Sequence, residues 1–112
     1  MTDAVGRVLT ALADPTRRTV FERVVAHGPL TATALAGELP VSRQAIAKHL
    51  ELLGDAGLVS STKVGRETRW SATPRPLEDA TSWMTSIGDA WDRRLGRLAE
   101  RAADRPTRRR RS

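Results

Sequence analysis

The chain has 112 residues, with 19 Lys and Arg against 13 Asp and Glu, for a formal net charge of +6. This length fits one domain with a core of its own, and no apolar run approaches the roughly 20 residues that a membrane-spanning helix needs. Cysteine is absent and only two histidines occur, which excludes disulfides, thiol chemistry and His-rich metal or catalytic clusters. No signal-peptide pattern opens the chain, so the expected location is the cytoplasm.

The positive charge is concentrated at the C-terminus. Residues 105–112, RPTRRRRS, contain Arg but no acidic residue, so the remaining basic and acidic residues nearly balance. We therefore expect a folded domain over 1–104 with a net charge near zero. A basic tail is expected over 105–112, disordered because it has nothing apolar to bury. The charge of the body alone does not identify a nucleic-acid partner.

Helical periodicity dominates the first half of the chain. A first helix is predicted by four apolar residues on one face: Val5, Val8, Leu9 and Leu12. It stops at ADPT, where Asp14 can cap a second helix that has Pro15 in its first position. That second helix ends at HGP. Its expected buried residues are Val20, Phe21, Val24 and Val25.

Two more helices follow, separated by a turn. A short third helix over about 31–38 offers Leu35 and Leu39 to the core. Pro40 and Val41 form the turn, and Ser42 is the expected cap of the fourth helix. The inward residues of that helix are Ile46, Leu50 and Leu53. The pair of glycines at 54 and 57 ends it.

The segments LVSSTKV and ETRWS are predicted to be two β-strands joined by Gly65 and Arg66. Glycine at the first central position suits a two-residue type II′ hairpin. Trp70 is expected to pack this hairpin onto the body. Two helices joined by a turn and followed by a hairpin make a winged helix-turn-helix, so the predicted fold is mainly α with one small β-hairpin.

From Pro74 onward the helical period returns in one long final helix. Its apolar row has no partner of similar length elsewhere in the chain, and an uncovered apolar row usually marks an interface. The row predicts a dimer contact through Met84, Ile87, Trp91 and Leu95. Trp83 and Trp91 fill either a core or this dimer seam.

The start of the fourth helix carries the strongest functional pattern. An α-helix fits the major groove of DNA, and the N-terminal residues of such a helix reach base edges. Those positions are Ser42, Arg43, Gln44, Ala45 and Lys48. Arg suits guanine, Gln suits adenine, Ala meets the thymine methyl and Lys meets phosphate. The alternative interpretation is a solvated amphipathic helix in an ordinary bundle.

Further DNA contacts are predicted at the hairpin and the third helix. Lys63, Arg66 and Arg69 would clamp phosphates or enter the minor groove, although charged hairpin tips also occur merely for solubility. Thr31 and Thr33 would place a helix N-terminus against a phosphate or simply cap that helix. His49 is expected to be packed or bonded to phosphate rather than to act as a pH switch.

LADPTRRTVFERV, LPVSRQAIAKHLELLGDAGLV and VGRETRWSAT together resemble the ArsR family of bacterial winged-helix repressors. The resemblance implies a recognition helix over 42–54 and a wing over 58–71. It also implies a homodimer whose first and last helices pair and present two recognition helices to a palindromic operator. On the first helix, the implied interface residues are Val5, Val8 and Leu12.

The family's metal sensors carry Cys pairs on the third helix or Asp and His ligands on the last. Here the third helix has no Cys and the last has no His, so the resemblance points to the branch that does not sense metals. No metal and no cofactor are therefore expected, and a small-molecule effector is unknown.

The sequence thus predicts a DNA-binding transcriptional regulator, most simply a homodimeric repressor that blocks a promoter by occupying its operator. Catalytic constellations are missing, so no enzyme is expected. Two alternatives stay open. One is a winged helix used for protein docking without DNA; the other is a sensor whose repression is relieved by a non-metal ligand near the last helix.

Overall fold

The computed structural model describes residues 3–103, which form five helices and one hairpin. The elements are α1 (Ala4–Ala11), α2 (Pro15–His27), α3 (Ala32–Glu38), α4 (Arg43–Asp55), β1 (Val59–Val64), β2 (Glu67–Ala72) and α5 (Pro74–Ala103). The chain divides into two compact units after Ala80. The first contains the core and the hairpin, and the second contains the remainder of α5. The predicted basic tail over 105–112 lies outside the described residues.

Side-chain caps fix where the helices begin. The Asp14 carboxylate accepts a hydrogen bond from the backbone N–H of Arg17 at 2.9 Å, and Pro15 is the first residue of α2. The Ser42 hydroxyl accepts from the N–H of Ala45 at 3.1 Å. Both caps were predicted. They satisfy backbone donors that have no partner inside the helix.

The core of the first unit collects apolar residues from every element of the unit. Its fully buried members include Val20, Val24, Leu35, Ile46, Leu50, Leu53 and Leu58. The prediction of an inward Val25 is wrong, because that side chain is 55% exposed. Val25 follows Val24 directly, and successive helical residues point about 100° apart, so only one of them can face the core fully.

Val8 also departs from its predicted role. Its side chain is only 1% exposed and belongs to the core of its own chain, so it has no surface to offer to a second copy. Its assignment to a dimer interface was therefore wrong. The other two interface candidates are Val5 on α1 and Leu12 directly after it; both are half-buried and pack partly against the same core.

The hairpin is antiparallel, with Val59 opposite Ala72 at one end and Val64 opposite Glu67 at the other. Gly65 has a φ of +64°, and no described residue other than glycine has a positive φ. Of the two central residues of the turn, only Gly65 therefore has a positive φ. This agrees with the predicted type II′ turn, because a type I′ turn needs a positive φ at both central residues. Trp70 is half-buried against the core, as predicted. Its backbone exchanges two hydrogen bonds with Leu30, of 2.8 and 3.0 Å.

The second unit is a single helical segment, Thr81 to Ala103, whose side chains are all exposed. Its large apolar residues are Trp83, Met84, Ile87, Trp91, Leu95 and Leu98. Arg94 lies over the ring of Trp91, 5.8 Å from its centroid. Within residues 3–103, no helix combines the length and the apolar character needed to span a membrane.

Candidate nucleic-acid interface

The first turns of α4 present a polar surface to solvent. Ser42 ends the preceding turn and caps the helix, and Arg43, Gln44 and Lys48 are all exposed. Ala45 is half-buried. On the opposite side of the helix Ile46 and Leu50 are fully buried in the core. Because the buried side anchors the helix in the core, the side of the helix that carries these residues faces solvent.

A cleft of about 660 Å³ separates α4 from the hairpin and from the start of α3. Arg43, Ala47 and Glu51, which are four residues apart along α4, form one wall. The hairpin side is lined by Arg66, Glu67, Thr68 and Trp70. Gln44 and Lys48 do not line the cleft, so the two predicted base-reading residues Arg43 and Gln44 point to different sides of the exposed surface.

The start of α3 contributes two threonines to the same cleft, with different roles. The Thr31 hydroxyl accepts a hydrogen bond from the N–H of Ala34 at 3.0 Å and thereby caps α3. Thr33 is exposed and is not the cap. Capping by Thr31 is therefore observed, and the predicted contact of this helix start with a phosphate stays a prediction.

The two faces of the hairpin carry different charges. Directly opposed residues of an antiparallel pair point to the same face. Lys63 is opposite Thr68, and the next pair of this face contains Trp70, so Lys63 shares the face that packs onto the body. Arg69 is opposite Thr62 on the other face, together with Glu67.

Arg69 is not a free cation. Its Nε and one terminal nitrogen both donate to Oε1 of Glu67, at 3.1 and 2.9 Å. Lys63 and Arg66 are exposed, and no ion pair involving either appears within residues 3–103. Sequence reasoning missed the acidic partner. The signal was present, because residues two apart in a strand share a face.

His49 lies on the side of α4 that is turned toward the start of α2. Its Nδ1 is buried and has no hydrogen-bond partner among residues 3–103. The pKa of Asp14 is lowered, first by the hydrogen bond from the Arg17 backbone and to a smaller degree by the charges of His49 and Arg17. His49 is thus partly buried, and its predicted contact with a phosphate stays a prediction.

Acidic residues also lie on the exposed side of α4. Glu51 lines the cleft, whereas Asp55, at the end of the helix, lines a separate cavity beside α1. Within residues 3–103, no group of three His, Cys, Asp or Glu side chains is arranged to hold a metal ion. The cleft between α4 and the hairpin is therefore lined by residues of both charge signs.

The apolar residues predicted for a dimer contact on α5 are all exposed in the single chain. They are Met84, Ile87, Trp91 and Leu95, and Trp83 and Leu98 extend the same exposed set. A Cβ added at Gly88, in the middle of this segment, would meet no atom within 4 Å.

Comparison with known proteins agrees with this architecture. Residues 12–62 match a family of helix-turn-helix domains. The HTH-type transcriptional regulator Rv2034 of Mycobacterium tuberculosis is 39% identical over 94 residues, which cover 84% of each chain. The transcriptional repressor SdpR of Bacillus subtilis is 29% identical over 91 residues, which cover 81% of this chain and 100% of SdpR.

A solved structure shows the same likeness in three dimensions. The ArsR-like transcriptional regulator from Rhodococcus sp. RHA1 superposes with a TM-score of 0.74 at 43% identity, covering 85% of this chain and 89% of that one. These relatives are transcriptional regulators and not enzymes. The chain therefore belongs to the ArsR family of winged helix-turn-helix transcriptional regulators, which bind DNA.

Proposed function

We propose that this protein is a homodimeric repressor that occupies a palindromic operator and reads its bases from the first turns of α4. The observation that carries the proposal is the exposure of Arg43, Gln44 and Lys48 on a helix whose opposite side is buried. Such a helix is held by its buried side and presents its polar side to solvent, which is the arrangement of a recognition helix in a major groove.

The side chains at the start of α4 are suited to two kinds of DNA contact, with bases and with phosphates. Gln44 can bond adenine through two atoms, and Arg43 can bond guanine in the same way. Ala45 offers a methyl group to thymine, and Lys48 suits a phosphate, which has the same charge in every sequence. Because Arg43 lines the cleft and Gln44 does not, we expect the two side chains to read different positions of a half-site.

The hairpin acts as the wing of this unit. Lys63 and Arg66 are exposed near its tip, so they are the side chains of the hairpin that we expect to contact phosphates. Thr31 and Thr33 lie across the cleft from the hairpin. A DNA phosphate backbone that lay in this cleft would meet the main-chain N–H groups at the start of α3.

The apolar residues of α5 support the homodimer. Six large apolar side chains are exposed there, in a chain whose core lies elsewhere, and exposed apolar patches of this kind mark interaction sites. A second copy is the occupant that also gives two recognition helices, which a palindromic operator needs. Repression is supported by the likeness to SdpR, a transcriptional repressor. A small-molecule effector stays a prediction.

Selection from a random duplex pool by the purified protein tests the proposal. We expect enrichment of one motif with two inverted half-sites, about one helical turn apart from centre to centre. A single unrepeated half-site would contradict the dimer. If no motif were enriched although the protein were folded, base reading would be refuted and the protein-docking alternative would be favoured.

A further inference from the structure

We propose that Glu67 limits the affinity of the wing for DNA by holding Arg69 in an ion pair. The ion pair withholds Arg69 from contact with a phosphate. This inference rests on the proposed function, in which the wing contacts the DNA backbone. It assigns a role to an acidic residue at the place where a DNA-binding surface would be expected to carry only basic ones.

The geometry of the pair explains why Arg69 is occupied. Both residues lie on β2, two positions apart and on the same face. One carboxylate oxygen of Glu67 accepts from two nitrogens of Arg69, at 3.1 and 2.9 Å. A guanidinium that donates twice to one carboxylate has fewer donors left for a phosphate.

The exposure of the pair explains why it acts on binding rather than on folding. The side chains of Arg69 and Glu67 are 43% and 55% exposed, and ion pairs at such positions contribute little to stability. The hairpin is held instead by Trp70 and by its backbone bonds to Leu30. Neutralising Glu67 should therefore leave the fold intact.

Glu67 also stands close to the expected phosphate contacts. It is the first residue of β2, directly after Arg66 and opposite Val64 at the tip. A carboxylate at this point repels a phosphate in addition to engaging Arg69. With Glu51, which lines the same cleft, Glu67 keeps the net charge of the proposed interface low and weakens sequence-independent binding.

The first test compares the wild-type chain with Glu67→Gln on the selected operator and on a scrambled duplex. Releasing Arg69 adds about one phosphate contact, so the slope of log K against log salt should steepen by about 0.9. The affinity gain should appear on both duplexes and should shrink roughly threefold between 50 and 200 mM salt. Unchanged affinity and slope would overturn the inference.

A double-variant cycle separates the ion pair from general repulsion. Arg69→Gln alone should change the slope little, because Arg69 is already engaged. Glu67→Gln in the Arg69→Gln background should lose most of its gain in affinity. An equal gain in both backgrounds would mean that Glu67 acts by repulsion alone, which would contradict the proposal that it holds Arg69.

Glu38→Gln is the matched control. Glu38 pairs with Arg23 between α3 and α2, and these side chains are 45% and 39% exposed. The change in charge and the freed Arg are the same, but the pair lies outside the hairpin, so the salt slope should not steepen. Lys63→Ala distinguishes a failure of this inference from a failure of the proposed DNA-binding function. If Lys63→Ala weakens binding while Glu67→Gln has no effect, the inference fails and the proposed function stands.

Discussion

The Asp14 carboxylate links a single hydrogen bond to the acid stability of the fold. Its pKa is lowered from the ordinary value of 3.8, mainly by the hydrogen bond that it accepts from the backbone N–H of Arg17. The ionised form is therefore favoured in the folded state. This contribution to stability is present above the unfolded pKa and is lost as the pH falls through the lower folded value.

Asp14→Ser keeps a capping oxygen but removes the charge. We expect the free energy of unfolding of this variant to depend less steeply on pH below about 4 than that of the wild-type chain. Asp14→Ala should be less stable than both at neutral pH, because the N–H of Arg17 loses its partner. Thermal unfolding from pH 7 down to pH 2.5 measures both effects. Identical acid profiles for the three proteins would contradict this role.

At the scale of elements, local signals in the sequence predicted the architecture well. The caps at Asp14 and Ser42 and the glycine of the hairpin turn were predicted because each depends on residues that are adjacent in the chain. Val25 was assigned to the wrong surface, because the periodicity of a helix gives its apolar side but not the depth to which each residue is buried. The interface role of Val8 came from the family resemblance, which implies that the first helix pairs but does not say which of its apolar residues the chain's own core takes up. The pairing of Arg69 with Glu67 was not predicted, because it depends on which residues share a face of the hairpin and not on the charge of either residue alone.

The exposed apolar residues of α5 predict that dimerisation depends on this helix. Trp91 is 55% exposed in the single chain, so Trp91→Ala should leave the core of the first unit folded. If Trp91 is buried in a dimer interface, Trp91→Ala should lower the stability of the dimer by about 3–5 kcal/mol. Sedimentation should then show a monomer that retains its helical circular dichroism.

Val25→Ala on α2 is the control for this experiment, because Val25 has the same fractional exposure as Trp91. It should not change the sedimentation coefficient. A Trp91→Ala protein that remains a stable dimer and still binds DNA tightly would contradict the proposed seam.

At the scale of the whole molecule, the residue composition predicts how binding responds to metals. The chain contains no cysteine and only two histidines. Transition-metal sites typically need Cys thiolates or His imidazoles that lie close enough together to bind one ion. Operator affinity should therefore be the same with micromolar Zn²⁺ and with a chelator. A reproducible, saturable change in affinity at micromolar metal would refute this expectation.

The basic tail predicts a second property of the whole molecule. Deleting residues 106–112 removes four Arg, at positions 108 to 111, and each lost phosphate contact reduces the salt slope by about 0.9. Binding to all duplexes should weaken alike while the selected motif stays the same. A changed motif after the deletion would mean that the tail reads sequence.

Two single-residue variants test the division between base reading and anchoring most directly. Gln44 is exposed on the first turn of α4, and Lys63 is exposed on the hairpin. Each variant, Gln44→Ala and Lys63→Ala, is titrated against the selected operator and a scrambled duplex at two salt concentrations. A bidentate base contact discriminates by about 1–3 kcal/mol, whereas a phosphate contact acts equally on every sequence.

Gln44→Ala should lower affinity for the operator, leave the scrambled duplex almost unaffected and relax the preference at one base position of each half-site. Lys63→Ala should weaken both duplexes by similar factors and reduce the salt slope by about 0.9. Equal losses on both duplexes for Gln44→Ala would contradict base reading by α4.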